Sequence, residues 1–533
     1  MQRYIVQNIK LPIESSKDVV FANAKKRLLK LFGSAEIVDL GIFKRSIDAR
    51  NNNDIKFVWS VSALVESKRT YSAEVLAKNS IVLEKKASLD FVRGNEKLSS
   101  RPVVVGFGPC GMFCALMLAR NGYRPIIIER GKSVFDRARD VEAFYKTGEL
   151  NIDSNIQFGA GGAGTFSDGK LVTRINDEKC AVVIDEMHRF GAPDDIVVSA
   201  KPHVGTDNLR KIVNGIHNEI INLGGEIHYE TKFISFKASG GVISSVLTNR
   251  GEIPCGALVI AIGHSARDTF SSIKCNGVEM IPKPFSVGVR IEHLQENIDA
   301  ALYGKMAGNP LLPKGEYNLS HKCKDGRGVY TFCMCPGGEV MAAASECGGV
   351  VTNGMSNYSR NGRNANSAVA VSVLPSDFGN TVEGAIAFQR QIERNAFVIG
   401  GGGYKAPAST VGDFLSGKYG TDFSDVVPSY MSGNVVMSGF DSVLPEFVIG
   451  SLREGLVDFD KKIKGFASNT AVLTGPETRT SSPLRISRND LFVAEGFENL
   501  YPCGEGAGYA GGITSAATDG IACALKIMAR YKE

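Results

Sequence analysis

Short apolar runs that end at glycine predict a sheet of buried parallel strands. Val103–Val105, Ile126–Ile128 and Ala257–Ile262 are continuously apolar, as is typical of strands that are covered on both faces. Between the first two runs, Met112–Ala119 is apolar over helical length. Asn499–Cys503 is a further short strand of this kind, far along the chain. The alternation of strand and helix predicts an α/β fold with a Rossmann-like sheet.

The turn after the first strand predicts a dinucleotide site. Gly106, Gly108 and Gly111 fit G-x-G-x-x-G, and Glu129 ends the second strand eighteen residues after Gly111. The glycines make the tight turn, admit a pyrophosphate and pack helix against strand, while the helix N-terminus offers free N–H groups. An acid at the position of Glu129 is expected on the ribose hydroxyls. The complete unit favours a bound dinucleotide over a packing turn without a ligand.

A membrane span is the other interpretation of this stretch. No charge lies between Arg101 and Arg120, which leaves 18 uncharged residues, close to the minimum for crossing a bilayer. Glycine and proline cluster at the turn, however, and divide the run into a strand and a helix. A soluble nucleotide-binding unit is therefore predicted.

Residues 1–97 predict a separate ferredoxin-like domain with the order β-α-β-β-α-β. The predicted elements are strand Tyr4–Ile9, helix Val19–Phe32, strands Glu36–Ile47 and Ile55–Val65, a short helix near Tyr71–Ala77 and a strand near Ile81–Leu83. Residues 1–100 carry 18 Lys and Arg against 11 Asp and Glu, a charge of +7, whereas the whole chain is only +5. The basic excess could contact RNA or an acidic partner, but the pattern favours lysines that simply face water.

Two further glycine-rich segments predict contacts to the same ligand. Gly159–Gly164 contains only Gly and Ala and is flanked by anchoring apolar residues, so it is interpreted as a loop that covers the cofactor. Near the end of the chain, Gly504–Gly508 and Gly511–Thr514 lead from a strand into a small-residue helix that runs to about Met528. A ligand held by both ends of the chain indicates FAD rather than NAD. Ile399–Tyr404 is also glycine-rich, but Pro407 follows where a helix would begin, so no second dinucleotide fold is predicted.

Length and composition set the remaining boundaries. A chain of 533 residues predicts two or three domains, and we expect the following ones: an N-terminal ferredoxin-like domain (1–97), the first part of the FAD-binding domain (98–280), an inserted substrate domain (281–470) and the closing part of the FAD-binding domain (471–533). The start of the chain has no apolar signal segment. The 11 cysteines are an odd number, which predicts reduced thiols and a cytoplasmic location. Cys333 and Cys335 have no second pair at zinc spacing, so no metal is predicted.

The chain resembles the glutathione-reductase-type FAD fold in its first glycine unit, in Ala261-Ile262-Gly263 and in Cys503-Gly504-Glu505-Gly506. It is also similar to a family of largely uncharacterised FAD-dependent dehydrogenases. That similarity rests on Ser46–Arg50, Gly161–Lys170, Lys283–His293 and Glu477–Pro483. One departure is Glu505, where the family's late motif usually has Asp. The resemblance implies a single bound FAD.

The resemblance implies where that FAD lies. Gly106, Gly108, Gly111 and Glu129 would hold its ADP half, Glu505 would face the ribitol, and the helix that begins near Gly512 would point its N-terminus at N1 and O2 of the flavin. The full set of predicted cofactor contacts is Gly106, Gly108, Pro109, Cys110, Gly111, Glu129, Arg130, Gly161, Gly162, Ala163, Gly164, Thr165, Lys170, Leu171, Ala261, Gly263, His264, Gly504, Glu505, Gly511, Gly512, Ile513 and Thr514.

Catalytic residues are much less determined by the sequence. Arg479, Ser481 and Arg485 lie in one loop before the closing segment, where arginines could bind a carboxylate or phosphate or could be solvated. His264 could donate to substrate or cofactor, or hydrogen bond locally. Cys503 is expected to be a packed cysteine. No general base is assigned.

The function predicted from these features is FAD-dependent hydride transfer between a small-molecule substrate and flavin N5. With one dinucleotide fold, NAD(P)H would serve only as a transient reductant in the substrate cleft. The alternative is a flavoprotein whose FAD is structural or sensory and whose basic N-terminal domain binds RNA or a partner protein.

Overall fold

The structure is a computed structural model. Its first unit is a four-stranded sheet covered by two helices. The structure describes residues 1–85, 88–418, 420 and 422–533. The elements of the first unit are β1 (Gln2–Pro12), α1 (Lys17–Phe32), β2 (Glu36–Asp48), β3 (Lys56–Glu66), α2 (Ala73–Lys78) and β4 (Ile81–Leu83). The strands pair antiparallel in the order β2-β3-β1-β4. Val20, Ala24, Leu28 and Phe32 repeat at helical spacing and bury one face of α1 against the sheet.

The second unit contains the glycine turn. Its elements are β5 (Glu96–Lys97), β6 (Pro102–Val105), α3 (Pro109–Arg120), β7 (Ile126–Ile128), α4 (Val134–Thr147), α5 (Lys179–Arg189), α6 (Gly205–Asn222), β8 (Glu226–His228), β9 (Phe233–Ser239), β10 (Val242–Thr248), β11 (Gly251–Pro254), β12 (Ala257–Ile260) and α7 (Arg267–Cys275). β9, β10 and β11 form a small antiparallel sheet. β6, β7, β8 and β12 belong to a parallel sheet.

The third unit is built on a seven-stranded sheet. Its elements are β13 (Met280–Pro282), β14 (Phe285–Leu294), α8 (Gln295–Tyr303), β15 (Ser320–Lys322), β16 (Gly328–Cys335), β17 (Glu339–Ala342), β18 (Thr352–Met355), β19 (Asn364–Val373), α9 (Val382–Ile399), β20 (Ala406–Thr410), α10 (Val411–Ser416), β21 (Val435–Met437), α11 (Glu446–Lys462) and β22 (Val472–Glu477). The sheet order is β15-β16-β19-β14-β22-β20-β21. Because β22 is one of these strands, the sheet takes in residues beyond 470.

The chain then returns to the parallel sheet. The closing elements are β23 (Leu484–Ile486), β24 (Leu500–Pro502), α12 (Ile513–Arg530) and β25 (Tyr531–Lys532). β24 pairs in parallel with β12, which gives the five-stranded order β24-β12-β6-β7-β8. In this order only β12 separates β6 from β24, although the two strands lie far apart in the sequence. The predicted α/β fold with a Rossmann-like sheet is confirmed.

Close contact between α3 and α12 joins the two ends of the chain on one face of this sheet. Residues 110–119 of α3 are all buried. A Cβ on Gly520 of α12 would lie 2.1 Å from the carbonyl oxygen of Cys110, and one on Gly111 would lie 2.0 Å from the carbonyl oxygen of Gly106. Glycine at these two positions therefore lets the helices and the first turn pack at backbone distance.

Gly400–Gly403 follows α9 and precedes β20, so it lies between a helix and a strand instead of opening a helix after a strand. Gly401, Gly402 and Gly403 all have positive φ, which ends the helix and reverses the chain.

In the described parts of the chain, no helix is both long and apolar enough to span a membrane.

Candidate functional site

Three glycine turns converge at the carboxyl edge of the parallel sheet. They follow β6, β12 and β24, and they touch one another through backbone atoms. A Cβ on Gly106 would lie 2.5 Å from the carbonyl oxygen of Ala261, and a Cβ on Gly506 would lie 2.5 Å from that of Gly263. The carboxyl edge of such a sheet is where α/β folds bind their ligands.

Two helix N-termini open onto these turns. Gly108 is the N-cap of α3 and Gly512 is the N-cap of α12, and neither helix has a side-chain cap. The N–H groups of each first turn, together with the positive end of the helix dipole, are therefore available to an anion. A Cβ on Gly263, Gly511 or Gly512 would meet nothing within 4 Å, so these residues border open space.

The glycine-rich loop at 159–164 lies directly over the first turn. Gly161 donates its N–H to the carbonyl oxygen of Phe107 at 2.7 Å, and a Cβ on Gly162 would come within 3.0 Å of Cα of Gly108. On the other side, a Cβ on Gly164 would meet the side chain of Ile513 at 3.0 Å. The loop therefore bridges the start of α3 and the start of α12.

Arg137, which was not among the site residues predicted from the sequence, holds this loop in place. Its guanidinium is fully buried and donates to the carbonyl oxygens of five loop residues: Asn155 at 2.7 Å, Ile156 at 2.7 Å, Ala160 at 2.8 Å, Gly162 at 2.9 Å and Gly159 at 3.3 Å. Desolvation lowers the pKa of Arg137 to about 9, so the group remains protonated at neutral pH. The signal was present in the sequence, because Arg137 lies on the buried face of α4 with Val134, Val141 and Phe144.

Glu129 ends β7 as predicted and is buried. Its carboxylate accepts N–H groups from Phe107 at 2.9 Å, Gly131 at 2.9 Å and Gly159 at 3.0 Å. A carboxylate offers about four lone-pair sites, so one remains for a ligand hydroxyl. Glu129 also fixes the first turn and the glycine-rich loop relative to each other, a second role that spacing alone did not indicate.

Glu505 lies in the closing turn next to Lys283. Burial raises the pKa of the Glu505 carboxyl to about 7, and Lys283 only partly offsets that effect. Burial also lowers the pKa of Lys283, to which the nearby Arg485 contributes. Glu505 is thus an acid whose proton is held loosely near neutral pH, at the turn where the ribitol contact is predicted.

The Glu505→Gln variant tests this environment through pH. Because the folded pKa is above the unfolded one, the neutral carboxyl stabilises the fold below pH about 4.5, and that contribution is lost as pH rises through about 7. We expect the variant to match the wild type at pH 5 and to be more stable by about 1–3 kcal/mol at pH 7.5. The measurement is urea unfolding of the apoprotein at both pH values. The exposed Glu495→Gln serves as control, and equal pH slopes in wild type and Glu505→Gln would contradict the raised pKa of the Glu505 carboxyl.

The other predicted cofactor contacts occupy the rim of this region. Arg130 pairs with Asp153 and Asp268 and stacks on Phe158. Lys170 pairs with Asp168 at 3.0 Å and Glu316 at 2.9 Å. The carbonyl oxygen of Leu171 accepts the Thr514 hydroxyl at 2.8 Å, which ties the loop to α12.

Arg479 is buried in an ion-pair network with Arg267. The Glu393 carboxylate lies between the two guanidinium groups, at 3.0 Å from Arg479 and 2.9 Å from Arg267. Glu346 adds a further carboxylate 2.7 Å from Arg267. The network joins α7, α9 and the loop after β22, so Arg479 holds the third unit against the parallel sheet. Two buried arginines whose partners lie 79 or more residues away in sequence left no local pattern to find.

The remaining catalytic candidates differ in their burial and in their contacts. His264 forms a hydrogen bond between Nδ1 and the Ser265 hydroxyl at 3.0 Å, and burial with the nearby arginines lowers its pKa to about 3, so it is neutral at physiological pH. Ser481 is half-buried and Arg485 is exposed. Arg485 stacks on Tyr509 with 5.1 Å between the guanidinium carbon and the ring centroid.

Cys503 and Cys110 meet between the two ends of the chain. Their sulfur atoms are 3.1 Å apart, and both residues are buried. Burial is the largest cause that raises the pKa of Cys110 well above its usual value, and the pKa of Cys503 is raised as well. Both are therefore protonated thiols at neutral pH.

The chain is similar to known protein families and to an uncharacterized relative. A family described as "FAD-dependent protein, C-terminal domain-like" matches residues 284–480, and a domain of unknown function matches residues 1–63. An uncharacterized protein of Clostridium beijerinckii is 46% identical over 530 residues, covering 99% of this chain and 98% of the relative.

Solved structures match over most of the chain at low similarity. A glycine oxidase from Bacillus cereus is 11% identical, with 82% of this chain and 99% of that chain covered and a TM-score of 0.32. L-proline dehydrogenase from P. horikoshii is 13% identical, with 81% and 93% covered and a TM-score of 0.31.

The residues at the sheet edge fit FAD. The first turn and α3 offer backbone N–H groups to a pyrophosphate, and Gly263, Gly511 and Gly512 border open space that a side chain would enter. The start of α12 and the closing turn that carries Glu505 border the same region, because a Cβ on Gly164 would meet both Ile513 and Pro109 and a Cβ on Gly504 would meet Cys110. FAD, when bound, supplies two-electron chemistry at its ring.

Proposed function

The chain belongs to a family of FAD-dependent proteins, and from this premise we propose that it is an oxidoreductase that transfers a hydride between a small-molecule substrate and flavin N5. The observation that supports the proposal is the convergence of three glycine turns and two uncapped helix N-termini at one edge of the parallel sheet. This arrangement supports a position for the phosphates at the start of α3 and one for a ring that becomes anionic on reduction at the start of α12.

The roles of the residues follow from their positions. The start of α3 would hold the phosphates, with Glu129 accepting a ribose hydroxyl through its remaining lone pair. The start of α12 would stabilise negative charge on the ring by about 0.3–2 kcal/mol. Arg137 keeps the glycine-rich loop closed over the nucleotide, which excludes water from the reacting face.

We also propose the finer domain organisation. The order β2-β3-β1-β4 with two helices supports a ferredoxin-like domain at 1–97. The seven-stranded sheet between β12 and β24 supports an inserted substrate domain over about 281–470, extended by β22.

The alternative, in which the FAD is structural or sensory and the basic N-terminal domain binds RNA or a partner protein, is not favoured. Four of the 18 Lys and Arg residues at positions 1–100 pair with acids of the same domain: Arg3 with Asp39 at 3.0 Å, Lys10 and Arg50 with Asp48 at 3.2 and 2.6 Å, and Lys56 with Asp54 at 2.8 Å. The remaining basic excess is not accompanied by a nucleic-acid-binding motif in the sequence, and lysines on a helix such as α1 are most simply solvated.

The test is anaerobic reduction of the purified protein. We expect a yellow protein that releases FAD on denaturation and whose visible flavin absorption bleaches with NADH, NADPH or a member of a panel of amines and alcohols. Reoxidation by an activated alkene would identify the acceptor side. A protein that binds FAD but that none of these donors reduces would overturn the enzymatic proposal.

A further inference from the structure

A hairpin at the edge of the seven-stranded sheet carries a histidine and a cysteine on one side. β15 ends at Lys322 and pairs antiparallel with β16, with His321 opposite Val329. Cys323 follows directly and closes the turn, because its N–H donates to the carbonyl oxygen of Arg327 at 2.8 Å. Residues two apart along an extended chain point to the same side. The hairpin therefore presents an imidazole and a thiol together.

Helix α11 presents two carboxylates to the same place. Glu454 and Asp458 are four residues apart and therefore lie on one face of the helix. The helix comes close to the hairpin because Gly455 has no side chain: a Cβ there would lie 2.6 Å from the side chain of Val329. Since Val329 is the residue that pairs with His321, this approach occurs beside the imidazole.

Side chains from the hairpin and the helix meet in one cluster. Nε2 of His321 lies 2.9 Å from Oε1 of Glu454, and Nδ1 of the same ring lies 3.2 Å from Oδ2 of Asp458. The Cys323 sulfur, a ring nitrogen of His321 and a carboxylate oxygen of Glu454 all lie within 4.8 Å of one another. Cys323 is buried, whereas the side chains of His321 and Glu454 are 20% and 32% exposed, so an ion from solvent can reach the cluster.

The donor atoms of this cluster are the set that zinc prefers. Zn²⁺ binds thiolate, imidazole and carboxylate at about 2.0–2.3 Å, usually with four ligands in a tetrahedron. Neighbouring donor atoms of such a tetrahedron are about 3.3–3.6 Å apart, so small side-chain rotations close the observed cluster around an ion. Mg²⁺ and Ca²⁺ take oxygen ligands, and a set that contains sulfur and nitrogen disfavours them.

The two ring nitrogens of His321 have different partners. A histidine that binds zinc through one nitrogen usually donates the N–H of the other to a carboxylate or a carbonyl oxygen, which fixes the orientation of the ring. Asp458 stands at Nδ1 in this way, and Lys462 pairs with the Asp458 carboxylate at 2.7 Å. Nε2 is left for the ion beside Glu454, whose Oε1 accepts the N–H of Lys324 at 3.1 Å.

We propose that His321, Cys323 and Glu454 bind one zinc ion, with Asp458 as a positioning residue and water as the fourth ligand. On binding, the Cys323 thiol proton is released to solvent, and the charges of the thiolate and the Glu454 carboxylate balance that of Zn²⁺. The ion joins the edge strand β15 to α11 and so fastens the outer edge of the third unit. The site was not predicted from the sequence, because His321 and Glu454 are 133 residues apart.

The experiment measures zinc bound to the full-length protein. The purified protein is stripped with a chelator, incubated with excess ZnCl₂, desalted and analysed by inductively coupled plasma mass spectrometry. Competition with a chromophoric chelator gives the zinc affinity. We expect about one zinc per chain, together with a higher melting temperature when zinc is present. The same protocol with MgCl₂ should leave no bound magnesium.

Three variants separate the ligands from the positioning residue. Cys323→Ser and His321→Gln should each lower zinc affinity by at least ~100-fold, and Asp458→Asn should lower it by about 10–100-fold. The melting temperature of the two ligand variants should no longer respond to zinc. Far-ultraviolet circular dichroism of the metal-free variants, compared with the metal-free wild type, shows that each one folds.

Glu446→Gln and Cys347→Ser are the matched controls. They remove an exposed carboxylate from the same helix and an exposed thiol, and both should bind zinc like the wild type. A wild type that retains no zinc after desalting would overturn the proposal. Zinc binding that survives in both Cys323→Ser and His321→Gln, or that is lost in Cys347→Ser, would overturn it as well, because the ion would then lie elsewhere. None of these measurements depends on FAD, so the result is independent of the proposed function.

Discussion

Replacing Arg137 by Met should lower the free energy of unfolding by more than about 3 kcal/mol, because each buried polar group that loses its partner costs about 1–3 kcal/mol. The variant leaves five loop carbonyl oxygens without their donor, and hydrogen bonds to charged groups contribute about 1.5–3 kcal/mol each. Since the loop joins the starts of α3 and α12, we also expect FAD affinity to fall at least ~100-fold, which corresponds to about 2.8 kcal/mol. Thermal unfolding and fluorescence titration of the apoprotein with FAD measure both effects.

Arg139→Met is the control for the loss of a positive charge from the same helix. The Arg139 side chain is 78% exposed and makes one ion pair, with Asp136, and exposed pairs of this kind contribute about 0–1 kcal/mol. The Arg139 variant should therefore bind FAD normally. If Arg137→Met kept both its stability and its FAD affinity, the loop would have to be held by other contacts.

The second large effect is expected from Gly506→Ala. The added Cβ would lie 2.5 Å from the carbonyl oxygen of Gly263, so one of the two turns has to move. Overpacking of this type costs about 1–3 kcal/mol, and the displaced turn carries Glu505. We expect FAD affinity to fall by at least ~30-fold, equivalent to about 2 kcal/mol, with a smaller change in stability.

Gly450→Ala provides the comparison, because a Cβ at this position in α11 meets nothing within 4 Å and alanine favours helix formation by up to about 1 kcal/mol. That variant should be as stable as the wild type or more so, with unchanged FAD binding. Normal affinity in Gly506→Ala would show that the closing turn does not contact the nucleotide.

The sheet and its glycine turns were predictable because each depends on local sequence. A run such as Val103–Val105 is apolar throughout only if both faces of the strand are covered. Positions 106 and 111 need glycine because a Cβ there would lie 2.5 and 2.0 Å from a backbone oxygen. The return of Leu500–Pro502 to the sheet was also indicated, since a second strand–glycine–helix unit had to complete one ligand site. These predictions required no knowledge of side-chain partners.

The buried ion pairs and hydrogen bonds between distant residues could not be predicted from the sequence. Arg267, Glu393 and Arg479 are mutually paired, yet each one alone looks like an ordinary charged residue. Strand β16 has one extra residue between Phe332 and Cys335 relative to β19, where Arg290 of β14 donates to the carbonyl oxygen of Cys333. Nothing in the sequence of β16 marks this extra residue. Arg137 is the exception, because an arginine on an otherwise apolar helix face indicates burial with partners.

The pairing of β24 with β12 has a consequence for synthesis of the protein. β7 ends at Ile128 and β24 begins at Leu500, so at about 5–20 residues per second the ribosome needs roughly 20–75 s to supply the missing edge strand and α12. During that interval the apolar surface of α3 that α12 later covers is open to solvent and to other nascent chains. Assembly of the nucleotide pocket therefore has to wait until α12 has been synthesised, and a premature stop codon before Ile513 would yield an aggregating polypeptide instead of a weakened enzyme.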